Sequence, residues 1–171
     1  MHLLAKQARL RGEIIELRNK SLHYVHKDPN IAIAIAAKLN QWSNDVEEFS
    51  DPESSHSTPT YFCIVLTLLK HESIISLFRP VLAASRKDAD YDSALQHCIG
   101  SARNIITTLH RVIQTVVCHD QTTGALSLLW PYCTWAVWIS SFILFYAANV
   151  KSLSQDVVIR WVNLVVLTSC C

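Results

Sequence analysis

Thirty consecutive residues, Gln121 to Val150, contain no Asp, Glu, Lys or Arg. A stretch of that length must lie in a core, against a partner or in a membrane. Its centre, LSLLWPYCTWAVWISSFILFYAA at 126–148, holds three of the five tryptophans. As a helix it spans roughly 34 Å, enough for the hydrocarbon core of a bilayer. The central helix of a large helical domain has the same composition, and the rest of the chain has to decide between the two.

A chain of 171 residues is the size of one domain and buries about 70% of its unfolded surface without help from disulfides or metals. We therefore expect a single helical domain over 1–171, with its last helix cut short, since the chain stops in mid-pattern. Charged residues make up 17% of the sequence, against about 25% in ordinary globular chains. Three glycines and five prolines leave few breaks, which favours long helices. A net charge of +1 with scattered Lys and Arg does not supply the basic patch that phosphate binding needs.

The periodicity is helical throughout. His2 to Val25 carries Leu3, Leu10, Ile14, Leu17 and Tyr24 on one stripe, interrupted by Gln7 and Ser21, and ends at Asp28-Pro29. The run IAIAIAA opens like a strand, but Ile31, Ile35, Leu39, Trp42, Val46 and Phe49 recur every three or four residues, and alanine favours helix over strand. SDPESSHSTP at 50–59 is a loop, with Thr58 as N-cap and Pro59 in the first turn of the next helix. That helix is apolar on most of its circumference except at Lys70, His71 and Glu72, and Arg79-Pro80 marks its end or a kink. Ser93 to Val117 repeats Ala94, Cys98, Ala102, Ile105, Leu109 and Val112 at helical spacing. Small residues Gly100, Ser101 and Ala102 there predict a close helix crossing. Pro131 sits where a buried helix could begin, and Ser152 with Gln155 forms a capping box before a last apolar helix to Cys171. The fold class is all-α, about six helices and no sheet.

Catalytic chemistry finds no footing in this pattern, and we expect no enzyme. His71-Glu72 begins the zinc-protease pattern H-E-x-x-H, but the second ligand position is Ile75. His23 and His26 lie one helical turn apart without a third ligand near them in sequence. Cys118-His119-Asp120 has the residue types of a thiol triad, but adjacent side chains do not converge on one another. The six cysteines show no metal spacing, which predicts buried free thiols in a reducing compartment. No phosphate-binding glycine loop occurs. Cys170-Cys171 lacks the polybasic lead-in of a lipidated tail.

Several segments nevertheless resemble one family. LKHESIISLFRPVL at 69–82 is similar to an L-x-x-H-x-x-x-I-x-L-x-R-P-x-L segment in the middle homology region of fungal zinc-cluster regulators, the fungal-specific transcription factor domain. Upstream, Leu39 and Trp42 match its L-x-x-W; downstream, Cys98, Ser101 and Ala102 fall on its C-x-x-A-A-like helix, and Trp130-Pro131 on its later apolar helix. The resemblance runs from about residue 2 to residue 150, and it implies a domain truncated at its N-terminus, with its first helices missing. It implies a regulatory, non-enzymatic helical domain in the nucleus, acting through protein partners or a homodimer and open to a small-molecule effector, with no membrane expected. The C-x2-C-x6-C zinc cluster of that family is absent, so neither zinc nor DNA contact can be placed on a residue here; DNA would be reached only through a missing DNA-binding domain. Arg79, with His71 a helical face away, is the candidate effector or partner contact; the plainer role for Arg79 is to lock the helix end. Within this frame Phe62, Leu66, Leu69, Ile105, Leu109, Trp135 and Phe142 are expected to share one core, with 126–148 as the central helix. The competing assignments are a single membrane span at 126–148 and a helical protein that binds a small apolar ligand between the helices at 61–80 and 126–148.

Overall fold

The computed structural model of the chain describes residues 2–19, 29–49, 60–83, 89–118 and 123–150, together with 159, 160 and 163. Five helices account for the first five segments: α1 (His2–Asn19), α2 (Pro29–Phe49), α3 (Thr60–Ala83), α4 (Ala89–Cys118) and α5 (Thr123–Asn149). No strand occurs among the described residues, so the all-α class holds, and the alternating IAIAIAA run is helical. Of the expected sixth helix, only Ile159, Arg160 and Asn163 are described, and they are helical. The Thr58 cap, the Ser152 capping box and the histidines at 23 and 26 lie outside the described residues.

The boundaries differ from expectation in two informative places. α3 does not stop at Arg79: it carries Pro80 inside it and ends at Ala83. Its ring removes the N–H that would bond the Ser76 carbonyl and crowds that carbonyl, and the helix ends within one further turn. Pro131 likewise lies within α5 and not at its start. Asp90 and Asp92 occupy the first turn of α4, where carboxylates favour the positive end of the helix dipole.

The chain divides into two compact units, Met1–His97 and Cys98–Cys171. In the first, α1, α2 and α3 pack pairwise. One cluster joins Leu10 of α1, Leu39, Trp42 and Val46 of α2, and Leu66 of α3, flanked by Leu3, Leu4, Phe62 and Leu69. A second joins Ile14, Leu17, Ile35 and Leu77, with Ile31 and Phe78 against it. These are the stripes read from the sequence of α1 and α2. Burying such side chains, at about 1.5–3 kcal/mol each, holds the three helices together. The Phe78 ring stacks on the imidazole of His97, with centroids 4.8 Å apart.

Tyr61–Ala83 of α3 is long and apolar enough to cross a membrane, with a mean hydropathy of 1.5. Two of its charged side chains pair with neighbouring helices: Lys70 with Glu47 of α2 at 3.0 Å, and Glu72 with Arg11 of α1 at 3.3 Å.

In the second unit, α4 buries Cys98, Ile99, Ala102, Ile105, Ile106 and Leu109, and α5 buries Cys133, Ala136, Ser140, Ile143, Leu144 and Ala147. Ser101 and Ala102 are buried, but Gly100 faces outward, with nothing within 4 Å of where a Cβ would stand. The hydroxyls of Ser140 and Ser141 donate to the carbonyls of Ala136 and Val137, at 2.7 and 2.9 Å, so an apolar helix carries them without orphaned donors. The expected shared core needs correcting here. Trp135 and Phe142 are 48% and 53% exposed. α5 buries its small and aliphatic face and turns its largest rings outward.

Candidate functional site

The polar positions of the first unit form a built feature at the junction of α1 and α3. On α3 three consecutive side chains, His71, Glu72 and Ser73, are buried. A helix that is apolar nearly all round can hold them there only if the partner helix supplies hydrogen bonds. α1 does so. Gln7, which breaks its apolar stripe, is 3% exposed and its Nε2 donates to Ser73 Oγ at 2.8 Å. One turn on, Arg11 sends Nη1 to Glu72 Oε2 and Nη2 to Glu72 Oε1, both at 3.3 Å, a bidentate fork.

Outside this seam lies a rim of exposed ion pairs: Lys6 with Asp45 at 2.8 Å, Lys38 with Glu13 at 2.7 Å, and Lys70 with Glu47 at 3.0 Å. The Lys70 ammonium holds the Glu47 carboxyl below its ordinary range, through its hydrogen bond and its charge. Between α1 and α2 a groove of about 350 Å³ has Leu10 and Trp42 at its apolar base and Lys6, Glu13, Lys38 and Asp45 around it. A smaller one, about 180 Å³, lies between α1 and α3, lined by Arg11, Arg18, Glu72, Ser73 and Ser76 with Ile14 and Ile15. Charged and apolar side chains together line both grooves.

His71 and Arg79 both stand on α3 but do not converge. Eight residues separate them, roughly 12 Å along the axis, and Arg79 is exposed while His71 is 9% exposed. The Nδ1 atom of His71 has no hydrogen-bond partner. Burial first, and then the neighbouring Lys70 charge, push its imidazole down to about 4 from an ordinary 6.5. His71 is therefore a neutral packing residue at neutral pH.

A pH dependence follows from this shift. Because the folded pKa lies below the unfolded one, the stabilisation is complete above about pH 6.5 and is lost as pH falls through 6.5 toward 4. Between pH 7 and pH 5 this one group should remove about 2 kcal/mol of folding stability. Urea unfolding at the two pH values checks it, with His71→Phe as the comparison: the variant should lose that portion of the slope, and an unchanged slope would assign the acid sensitivity elsewhere.

Among the described residues, the buried thiols are poor candidates for a reactive centre. Burial pushes the Cys98 thiol up to about 12 and raises that of Cys133, so neither offers a thiolate nucleophile at neutral pH. Among the described residues no three His, Cys, Asp or Glu side chains gather at metal-binding distance. Sequence reasoning singled out His71 and Arg79 and missed the seam of Gln7, Arg11, Glu72 and Ser73. The available signal was a glutamine in an apolar stripe facing a short polar run in an apolar helix.

With this geometry in view, the comparisons with known proteins can be placed. Over 159 residues, 87% of its length, the chain is 26% identical to a probable transcription factor, FUP6, of Fusarium proliferatum (strain ET1). The chain spans about a fifth of that relative, 21% of its length. No protein-family model matches the chain. No solved structure matches it either.

Proposed function

We propose that this chain is a helical regulatory region of a fungal transcription regulator, acting in the nucleus and by interaction, not by catalysis. The observation that carries the proposal is the similarity to the probable transcription factor FUP6, which extends over 87% of the chain. Two features of the fold are in keeping with it. The conspicuous polar groups at the α1–α3 junction are used to hold helices together. The buried thiols and the neutral His71 leave the most prominent reactive side chains unsuited to acid–base or nucleophilic work.

In this role the region contains no cofactor of its own. Any zinc-cluster DNA-binding part would lie elsewhere in a longer protein. Its partners are other proteins, or other parts of a regulator, and a small effector would meet a charged groove such as that between α1 and α2. Arg79, exposed on α3, is the contact residue we assign; His71 is buried and acts through packing.

The test places the 171-residue chain between a heterologous DNA-binding domain and an activation domain in a fungal reporter strain. A regulatory region should change reporter output relative to a fusion lacking it, at equal protein abundance, and Arg79→Glu should shift that change. A folded, nuclear fusion with unaltered output would overturn the proposal.

A further inference from the structure

The outward rings of α5 are not scattered. Trp135, Trp138, Phe142 and Phe145 are 48%, 59%, 53% and 53% exposed, and their spacing is three, four and three residues. That is the a/d pattern of a coiled-coil seam. The rings run as a ladder along the helix: Trp135 against Trp138 with centroids 6.5 Å apart, then Trp138 edge-on to Phe142 at 4.6 Å. α5 thus has two faces, one of small and aliphatic residues that is buried and one of aromatic residues at heptad spacing that is exposed.

We infer that the aromatic seam of α5 pairs with the same seam of a second copy of this chain. Three observations select that occupant. First, the positions flanking the seam, Thr134, Ile139, Ser141 and Tyr146, carry no charge. Seam-flanking charges are the usual means by which a helix chooses a different partner and rejects its own copy, and α5 has none. Second, no Asp, Glu, Lys or Arg lies anywhere in 121–150, so bringing two α5 helices together desolvates no ion and opposes no like charges. Third, the area suffices. Aromatic side chains at about half exposure contribute roughly 100 Å² each. With the flanking positions, a two-fold pair would bury about 1,000 Å², the threshold for a specific interface. An interface at that threshold gives a reversible, concentration-dependent dimer.

The experiment is sedimentation velocity on the whole chain over a concentration series, in buffer without detergent, with a parallel flotation assay on neutral phosphatidylcholine vesicles. The expected result is a monomer–dimer equilibrium. Trp138→Glu and Phe145→Lys, made separately, should each weaken it at least about thirtyfold with unchanged helical circular dichroism, since both side chains are exposed. Tyr61→Glu, an equally exposed aromatic on α3 at 49%, should leave the equilibrium as it is. A chain that stays monomeric to about 100 µM overturns the inference; such concentrations far exceed what an interface of this size needs. So does growth beyond the dimer, equal sensitivity to Tyr61→Glu, or flotation with vesicles in place of self-association, which would assign the seam to a lipid surface. The inference does not depend on the transcriptional role, and the reporter experiment can fail while this one succeeds.

Discussion

Trp42→Ala should lower the unfolding free energy by about 3–5 kcal/mol, the cost of removing a large ring from a packed interior. Trp42 is 2% exposed and sits in the cluster where α1, α2 and α3 meet, in contact range of Leu10, Leu39, Val46 and Leu66. It also fastens the start of α1: the indole Nε1 donates to the Leu3 carbonyl at 2.9 Å. Removing the ring therefore opens a cavity and also removes this hydrogen bond between α2 and the start of α1. Domains of this size have about 5–15 kcal/mol in all, so the variant should sit near the edge of folding. Trp42→Phe separates the two contributions, keeping most of the apolar volume and losing only the hydrogen bond, for about 1–2 kcal/mol. Urea denaturation followed by circular dichroism measures both. A Trp42→Ala loss below about 1 kcal/mol would mean that the three helices are not held at this cluster.

The part of the fold that was legible in the sequence is the part where apolar residues have a phase. In α2, Ile35, Leu39, Trp42 and Val46 stand among Asn, Gln, Ser and Asp, so their period fixes both the helix and its inward face; all four are buried. Gln7 shows the limit of that logic. A polar residue in the stripe reads as an interruption, whereas it is buried because Ser73, sixty-six positions away, faces it. Pairings at such separations have no local signature. In α5 the failure has another cause. With no charged residue between 121 and 150, every face is apolar and composition gives the helix no rotational phase. The expectation that Trp135 and Phe142 lie in the core therefore has no phase to rest on, and the helix buries Ala136, Ser140, Leu144 and Ala147 instead. Small residues let a neighbouring backbone approach closely, and large rings then remain on the other side.

Arg11→Met should cost about 3 kcal/mol, more than an exposed ion pair on the same helix by a factor of several. The reason is the asymmetry of burial. The Glu72 side chain is 5% exposed while that of Arg11 is 44% exposed, so the carboxylate is the partner with less access to water. Taking Arg11 away removes both of the charge-assisted hydrogen bonds it gives Glu72. Replacing both partners, Arg11→Met with Glu72→Leu, should recover much of the loss, because the buried charge disappears with its counterion. The double-mutant cycle should give a coupling of about 1–3 kcal/mol. Salt then distinguishes this pair from its neighbours. Lys6–Asp45 and Lys70–Glu47 are partly solvated and should weaken between 0.1 and 1 M salt, where the Debye length falls from about 10 Å to about 3 Å. The Arg11–Glu72 coupling should persist. If it fades equally, or falls below about 0.5 kcal/mol, the fork is an ordinary surface contact, and the α1–α3 junction is held by Ser73, Gln7 and the apolar clusters alone.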